Sequence, residues 1–146
     1  MKTSFILQKT NNNNMNLTNQ ITPSKEEFVD FIKNYPSNTP ITMVNILKFK
    51  EKSGNGDESG KAAYLRYSKN MVPFIEKAQG KVLWMGNITK TLIGDYDSQP
   101  DMMLIVSYPS KESFIEMSTT PEYEEVSKDR KIALEYGALL TSNTVG

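Results

Sequence analysis

Five side chains in this sequence have types and settings suited to holding or polarising a small molecule: Asn45, Tyr64, Tyr67, Trp84 and Arg130. Asn45 interrupts the apolar run Ile41-Thr42-Met43-Val44-Asn45-Ile46-Leu47-Lys48-Phe49. A buried amide left without a partner costs about 1–3 kcal/mol, so either the fold or a ligand must satisfy it. It can orient a carbonyl or hydroxyl, or it can tie its strand to a neighbour. Tyr64 and Tyr67 stand three residues apart, and their phenols can reach a pocket mouth or sit at the edge of a core or an interface. Trp84 is the only tryptophan. It can wall an apolar ligand or pack beneath a helix, and strand parity decides which. Arg130 shares a helical stripe with Tyr123, Ser127 and Leu134. Its guanidinium can hold a carboxylate bidentately, snorkel to solvent, or pair with Glu122, Glu124 or Asp129.

Composition removes many other chemistries. The sequence has no His and no Cys. That excludes a thiolate nucleophile, a disulfide, a zinc–sulfur site, a Ser-His-Asp triad and a histidine-ligated haem from within the chain. The carboxylates form no metal set. Glu112 and Glu116 are four apart on one helix, Glu122, Glu124 and Glu125 crowd a helix start, and Asp57-Glu58 lacks the alternating acids of a calcium loop. No glycine motif cradles phosphate. No cofactor and no metal are therefore expected. Lys+Arg and Asp+Glu both number 17, which gives no electrostatic footprint for nucleic acid or an anionic membrane. The apolar patch in Met1–Lys9 is too short for a signal-peptide core, and the expected location is cytoplasmic.

The elements that must place these residues follow from pattern. Residues 1–22 are polar, with an asparagine run at Asn11–Asn14, and are expected to be a disordered leader. Residues 23–146 read as one domain. Ser24 and Glu27 have capping-box spacing ahead of a short helix carrying Phe28, Phe31 and Ile32 on one face. Ile41–Phe49 reads as a buried strand. The loop Glu51–Gly60 is either a surface loop or a lid. Ala63, Tyr67, Met71, Phe74 and Ala78 make the apolar stripe of a long helix, which Pro73 should kink and Gln79-Gly80 should end. Strands are predicted at Lys81 to about Ile93, with a bulge or close approach at Gly86, and at Asp101–Tyr108. Ser110 and Thr120-Pro121 start two further helices, and Tyr136–Thr144 is a last strand.

After the first helix this order is β-α-β-β-α-β. It predicts an α+β, ferredoxin-like domain: a four-stranded antiparallel sheet with the first and third strands central, helices on one face, and one extra N-terminal helix. The uncovered face carries Met, Leu, Ile or Val whichever parity points outward. That predicts a two-fold homodimer with the sheets face to face and a ligand cavity between them.

Several segments together resemble a known family. They are Met43–Phe49, Ala63-Tyr64-Leu65-Arg66-Tyr67 and Gly80–Gly86, then Tyr108-Pro109-Ser110, Met117, Pro121-Glu122-Tyr123 and Arg130–Leu134. The set resembles the family of domain of unknown function 1330, in the dimeric α/β-barrel superfamily, over roughly residues 23–145. The resemblance implies a dimeric ferredoxin-like barrel and supplies no established reaction. At superfamily level it implies cofactor-independent oxygenases and haem-degrading enzymes, some with Asn and Trp in the pocket. The asparagine-rich leader and the long Glu51–Gly60 loop depart from the family pattern. The expected function is binding of a small phenolic or carboxylated metabolite. Its catalytic form is oxygenase- or isomerase-like, with Asn45 and Arg130 polarising and anchoring substrate and a tyrosine handling the proton. The alternative is a non-catalytic ligand-binding or structural homodimer.

Overall fold

The structure is a computed structural model that describes residues 20–94 and 99–146. All of the expected leader before residue 20 and the middle of the 94–100 turn lie outside the described residues. The elements run α1 (Lys25–Asn34), β1 (Ile41–Phe49), α2 (Gly60–Lys77), β2 (Lys81–Asn87), β3 (Met102–Tyr108), α3 (Lys111–Ser118), α4 (Pro121–Ala133) and β4 (Leu134–Ser142). The sheet is antiparallel throughout, in the order β2-β3-β1-β4, so the two most apolar strands are central. The fold is ferredoxin-like and α+β.

Local chemistry sets the helix ends. Ser24, Ser59, Ser110 and Thr120 are N-caps, and each side-chain oxygen accepts from a backbone N–H three residues on. Pro121 occupies the first turn of α4, where its missing N–H costs nothing. α2 runs unbroken past Pro73. It ends at Lys77, just before Gln79-Gly80 as expected, and Gln79 takes the left-handed conformation with φ 59°. Gly80 is needed for space, because a Cβ there would stand 2.9 Å from the Tyr108 ring. β2 stops at Asn87, and β4 begins directly at the end of α4 with no loop, two residues before the predicted start.

The sheet's two faces differ by parity. Ile41, Met43 and Leu47 are at most 1% exposed and pack with Tyr64, Met71, Val106, Tyr108 and Leu134 under the helices. Thr42, Val44 and Ile46 occupy the opposite face with Met103, Ile105 and Ser107. α1 is held against this core by rings and one buried cation. Phe31 meets Phe114 edge-on at 6.1 Å. The Lys111 ammonium donates to the Ile32 and Tyr35 carbonyls, at the helix end where the dipole favours positive charge.

Residues 51–59 form a loop folded on itself and pinned from outside. Ser53 donates to the Glu58 carboxylate at 2.7 Å. Arg66 joins Glu58 to Asp129, reaching the latter at 2.8 and 3.0 Å. Arg66 and Ser53 hold the Glu58 carboxyl down to about 2. The loop ends in a crowded knot. Lys50 N–H donates to the Ala133 carbonyl at 2.8 Å, and Gly60 N–H donates to the Lys50 carbonyl at 3.0 Å. A Cβ on Gly60 would stand 2.2 Å from the Lys50 oxygen and 2.5 Å from that of Ala133. Both are backbone atoms of packed elements, so relief means moving α2 off β1. Gly60→Ala is expected to cost about 3 kcal/mol in urea unfolding; a loss under about 1 kcal/mol would mean that the knot relaxes.

Candidate functional site

One rung of the sheet crosses all four strands: Met85, Leu104, Asn45 and Leu139 stand side by side. It lies on the helix face. The helices do not cover it fully, since Met85 and Leu139 remain 37% and 40% exposed. The rung floors a cleft between sheet and helices, lined also by Met43, Val82, Val106, Tyr64, Tyr67, Tyr123 and Arg130. The cleft continues beneath α1 and measures about 1690 Å³, more than one small ligand needs. None of residues 51–60 lines it, so that loop is a surface loop rather than its lid.

Asn45 is the one polar side chain of the rung. Its Nδ2 donates to the Leu104 carbonyl on β3 at 3.4 Å, a long and weak bond. Its Oδ1 accepts from nothing among the described residues. The amide is thus only half used by the fold.

α2 supplies two phenols. Tyr64 is 1% exposed and its ring lies between Phe49 at 5.5 Å and Tyr67 at 5.4 Å. Its hydroxyl makes no hydrogen bond within the described residues and opens on the cleft. Burial pushes the Tyr64 phenol up to about 12, against the pull of the nearby Arg130 charge. Burial pushes Tyr67 well above its usual range too, with Tyr123 beside it adding to the shift. Both phenols are therefore hydrogen-bond donors at neutral pH.

Arg130 comes from the last turn of α4 and is partly buried. It donates to the Ile21 carbonyl through Nη1 and to the Gly137 carbonyl through Nη2 at 3.2 Å. Gly137 makes this seat possible, because a Cβ there would stand 2.6 Å from Nη2. Of the three carboxylates offered as its partner, Glu122, Glu124 and Asp129, the last is taken by Arg66. No ion pair reaches Arg130 among the described residues.

Asn45, Tyr64, Tyr67 and Arg130 therefore share one cleft. Trp84 does not. The β2–β3 register shifts between Val82 and Trp84, which turns Trp84 to the uncovered face opposite Ile105, its ring lying over Gly86. Of the two expectations for Gly86 it is the close approach that holds, to the Trp84 ring, and the bulge sits at Leu83. The cleft also lies within one chain, on the helix side of the sheet, whereas the expected cavity lay between two sheets. The helices leave the two ends of the rung, Met85 and Leu139, uncovered. Sequence reading assigned no role to Tyr123, although its stripe with Arg130 was the available signal. The Ile21 carbonyl, a backbone atom, had none. Among the described residues, no group of three or more acids, His or Cys could hold a metal ion, and no helix is long and apolar enough to cross a membrane.

The buried phenols predict an alkaline limit. An exposed tyrosine ionises near pH 10, whereas Tyr64 holds its proton to about 12. The stability tied to the neutral phenol is whole below about pH 10 and is lost as pH rises to about 12. Urea unfolding across that window should show a steep fall in wild type and a shallower one in Tyr64→Phe. Equal slopes would place the phenol in solvent.

The chain is similar to known proteins at two levels. A protein of unknown function from Rhodopseudomonas palustris is 35% identical, with a TM-score of 0.81 over 88% of this chain and 99% of that one. A hydroxynitrile lyase from Passiflora edulis shares the fold at 13% identity, with a TM-score of 0.53 over 72% and 93%. A dimeric protein of unknown function and ferredoxin-like fold from Bacteroides fragilis does so at 9% identity, with a TM-score of 0.51 over 75% and 100%. No curated protein matches the chain. The family described as Domain of unknown function (DUF1330) matches residues 57–143, more than half of the chain, and the chain belongs to that family.

Proposed function

We propose that the protein is a homodimer whose chains each bind a small, largely apolar metabolite bearing phenolic or carboxylate oxygen in the cleft between sheet and helices. The observation that carries this reading is convergence. The cleft is apolar along Met43, Met85, Leu104 and Val106, yet Asn45, Tyr64, Tyr67, Tyr123 and Arg130 all meet it. Such a setting, apolar walls with a few placed polar groups, is what small-molecule sites have in common.

The catalytic form of the reading is an oxygenase- or isomerase-like step without a cofactor, with Asn45 and Arg130 polarising and anchoring substrate. It needs a group that removes a proton near neutral pH. A phenol held to about 12 keeps its proton and serves as a hydrogen-bond donor instead. Binding without turnover is the form this observation favours.

The second subunit follows from the uncovered face. Val44, Ile46, Met103 and Ile105 line it, with Leu83, Trp84 and Leu140 exposed at 57%, 49% and 41%. A second copy offers the same surface through a two-fold axis. The dimeric Bacteroides fragilis protein has the same fold, which supports this arrangement.

Two measurements test the proposal. A bound metabolite at a hundred times its Kd should add about 2.7 kcal/mol and raise Tm on the order of 8 °C. In a thermal-shift screen of phenols and carboxylic acids, Asn45→Ala should shrink that rise. No shift with any compound would defeat the binding reading. In sedimentation at micromolar concentration wild type should run as a dimer and Trp84→Glu as a monomer. A monomeric wild type would defeat the assembly.

A further inference from the structure

Arg130 and Arg66 stand on opposite sides of the same helix pair, and their charges are treated differently. Arg66 is neutralised twice, by Asp129 and Glu58. Arg130 is partly buried and has no carboxylate partner among the described residues. Its two bonds go to neutral backbone carbonyls, those of Ile21 and Gly137, and Nε–H has no described partner. Tying two carbonyls needs only a neutral donor. A partly buried charge without a counter-charge carries a desolvation cost that those bonds offset only in part. The acids at the cleft rim, Glu27, Asp30 and Glu124, are exposed, and none pairs with it.

The neighbouring groups have the same polarity. The Tyr64 hydroxyl makes no hydrogen bond among the described residues, and Tyr64 lines the same cleft as Arg130. This end of the cleft therefore offers cationic and neutral donors together. A neutral phenol brings another donor to them and leaves the charge uncompensated. A carboxylate brings acceptors only, and the missing charge. Gly137 keeps room for the guanidinium against β4, which a side chain would close.

Resting on the cleft as the binding site, we infer that its ligand is a carboxylic acid: the carboxylate sits on Arg130 with Tyr64 as a second donor, and the apolar body lies along the Met85–Leu104–Leu139 rung. Asn45, at the middle of that rung, meets a polar atom further along the ligand rather than its acid group.

The test compares each acid with its own primary amide, which keeps size and shape and removes the charge. Benzoate, cinnamate, hexanoate and octanoate and their amides are titrated into the full-length protein by calorimetry, with ligand-observed NMR for weak binders. At least one acid should bind about tenfold or more tighter than its amide, as expected of a charged hydrogen-bonded pair. Arg130→Gln should weaken that acid by about tenfold to a hundredfold and leave the amide within about twofold. The acid–amide contrast is read on wild type, so it holds even if Arg130→Gln loosens the Ile21 segment. Amides binding as well as acids, or an acid indifferent to Arg130→Gln, overturns the carboxylate assignment and leaves the cleft reading standing. Binding of neither series overturns both.

Discussion

β1 is hydrogen-bonded along both edges, to β3 and to β4, and only one of its faces is covered by helices. That constraint decides which side chains meet the cleft and which meet the outer face. Ile41, Met43 and Leu47 are nearly inaccessible, so their parity cannot be exchanged without exposing three large side chains. A slip of one residue would turn all of them outward. Asn45 shares their parity and is carried inward with them. The amide is thus not placed by an interaction of its own, since its bond to Leu104 is long. It is placed by its neighbours, and is left with hydrogen-bonding capacity facing the cleft.

The same logic divides the charges on α4. Consecutive helical residues lie about 100° apart, so Asp129 and Arg130 cannot face the same way. Asp129 turns toward Arg66 and the 51–59 loop, where it completes an outward network. Arg130 turns inward over β4. An acid immediately before an arginine is therefore no sign of a pair between them. Here it removes the nearest counter-charge from Arg130, and the network that fastens the loop is the reason the inner guanidinium stays unpaired.

Much of this was legible in sequence, and the parts that were not have physical causes. The bounds of β1 were readable because nine residues of apolar, β-branched character follow a proline. Three of the four N-caps, Ser24, Ser110 and Thr120, were readable because Ser or Thr precedes helical periodicity at fixed spacing; Ser59 was not, because it sits inside the polar Glu51–Gly60 stretch. The side of the sheet that Trp84 faces was not readable, because the extra residue at Leu83 inverts the parity and nothing in KVLWMGN marks it. Gly86 drew the expectation of a bulge or a close approach, and its absent Cβ serves the second, against the Trp84 ring. The start of β4 was misplaced because a helix ordinarily needs a few residues to turn into a strand. Here Leu134 is both the cap of α4 and the first strand residue. The grouping of Asn45, Tyr64, Tyr67 and Arg130 in one cleft needed three elements brought together, which no local spacing encodes.

The proposed cleft and the proposed dimer face lie on opposite sides of one sheet, yet they are not independent. β1 and β3 separate them by strict alternation, and β4 does so beyond the register shift at its start. β2 is the exception: its bulge sets Leu83 and Trp84 on the outer face immediately before Met85, which returns to the cleft floor. β2 is also an edge strand, hydrogen-bonded only to β3. A second subunit pressing on Trp84 would act on Met85 through a single peptide unit, with the tight contact of the indole against Gly86 resisting rotation. If assembly influences what the cleft accepts, β2 carries that influence from a large exposed outer side chain, Trp84, to the cleft floor. At the opposite end of the rung Leu139 is likewise one peptide from the outward Leu140, while Arg130 on the cleft side is held by the Ile21 and Gly137 carbonyls.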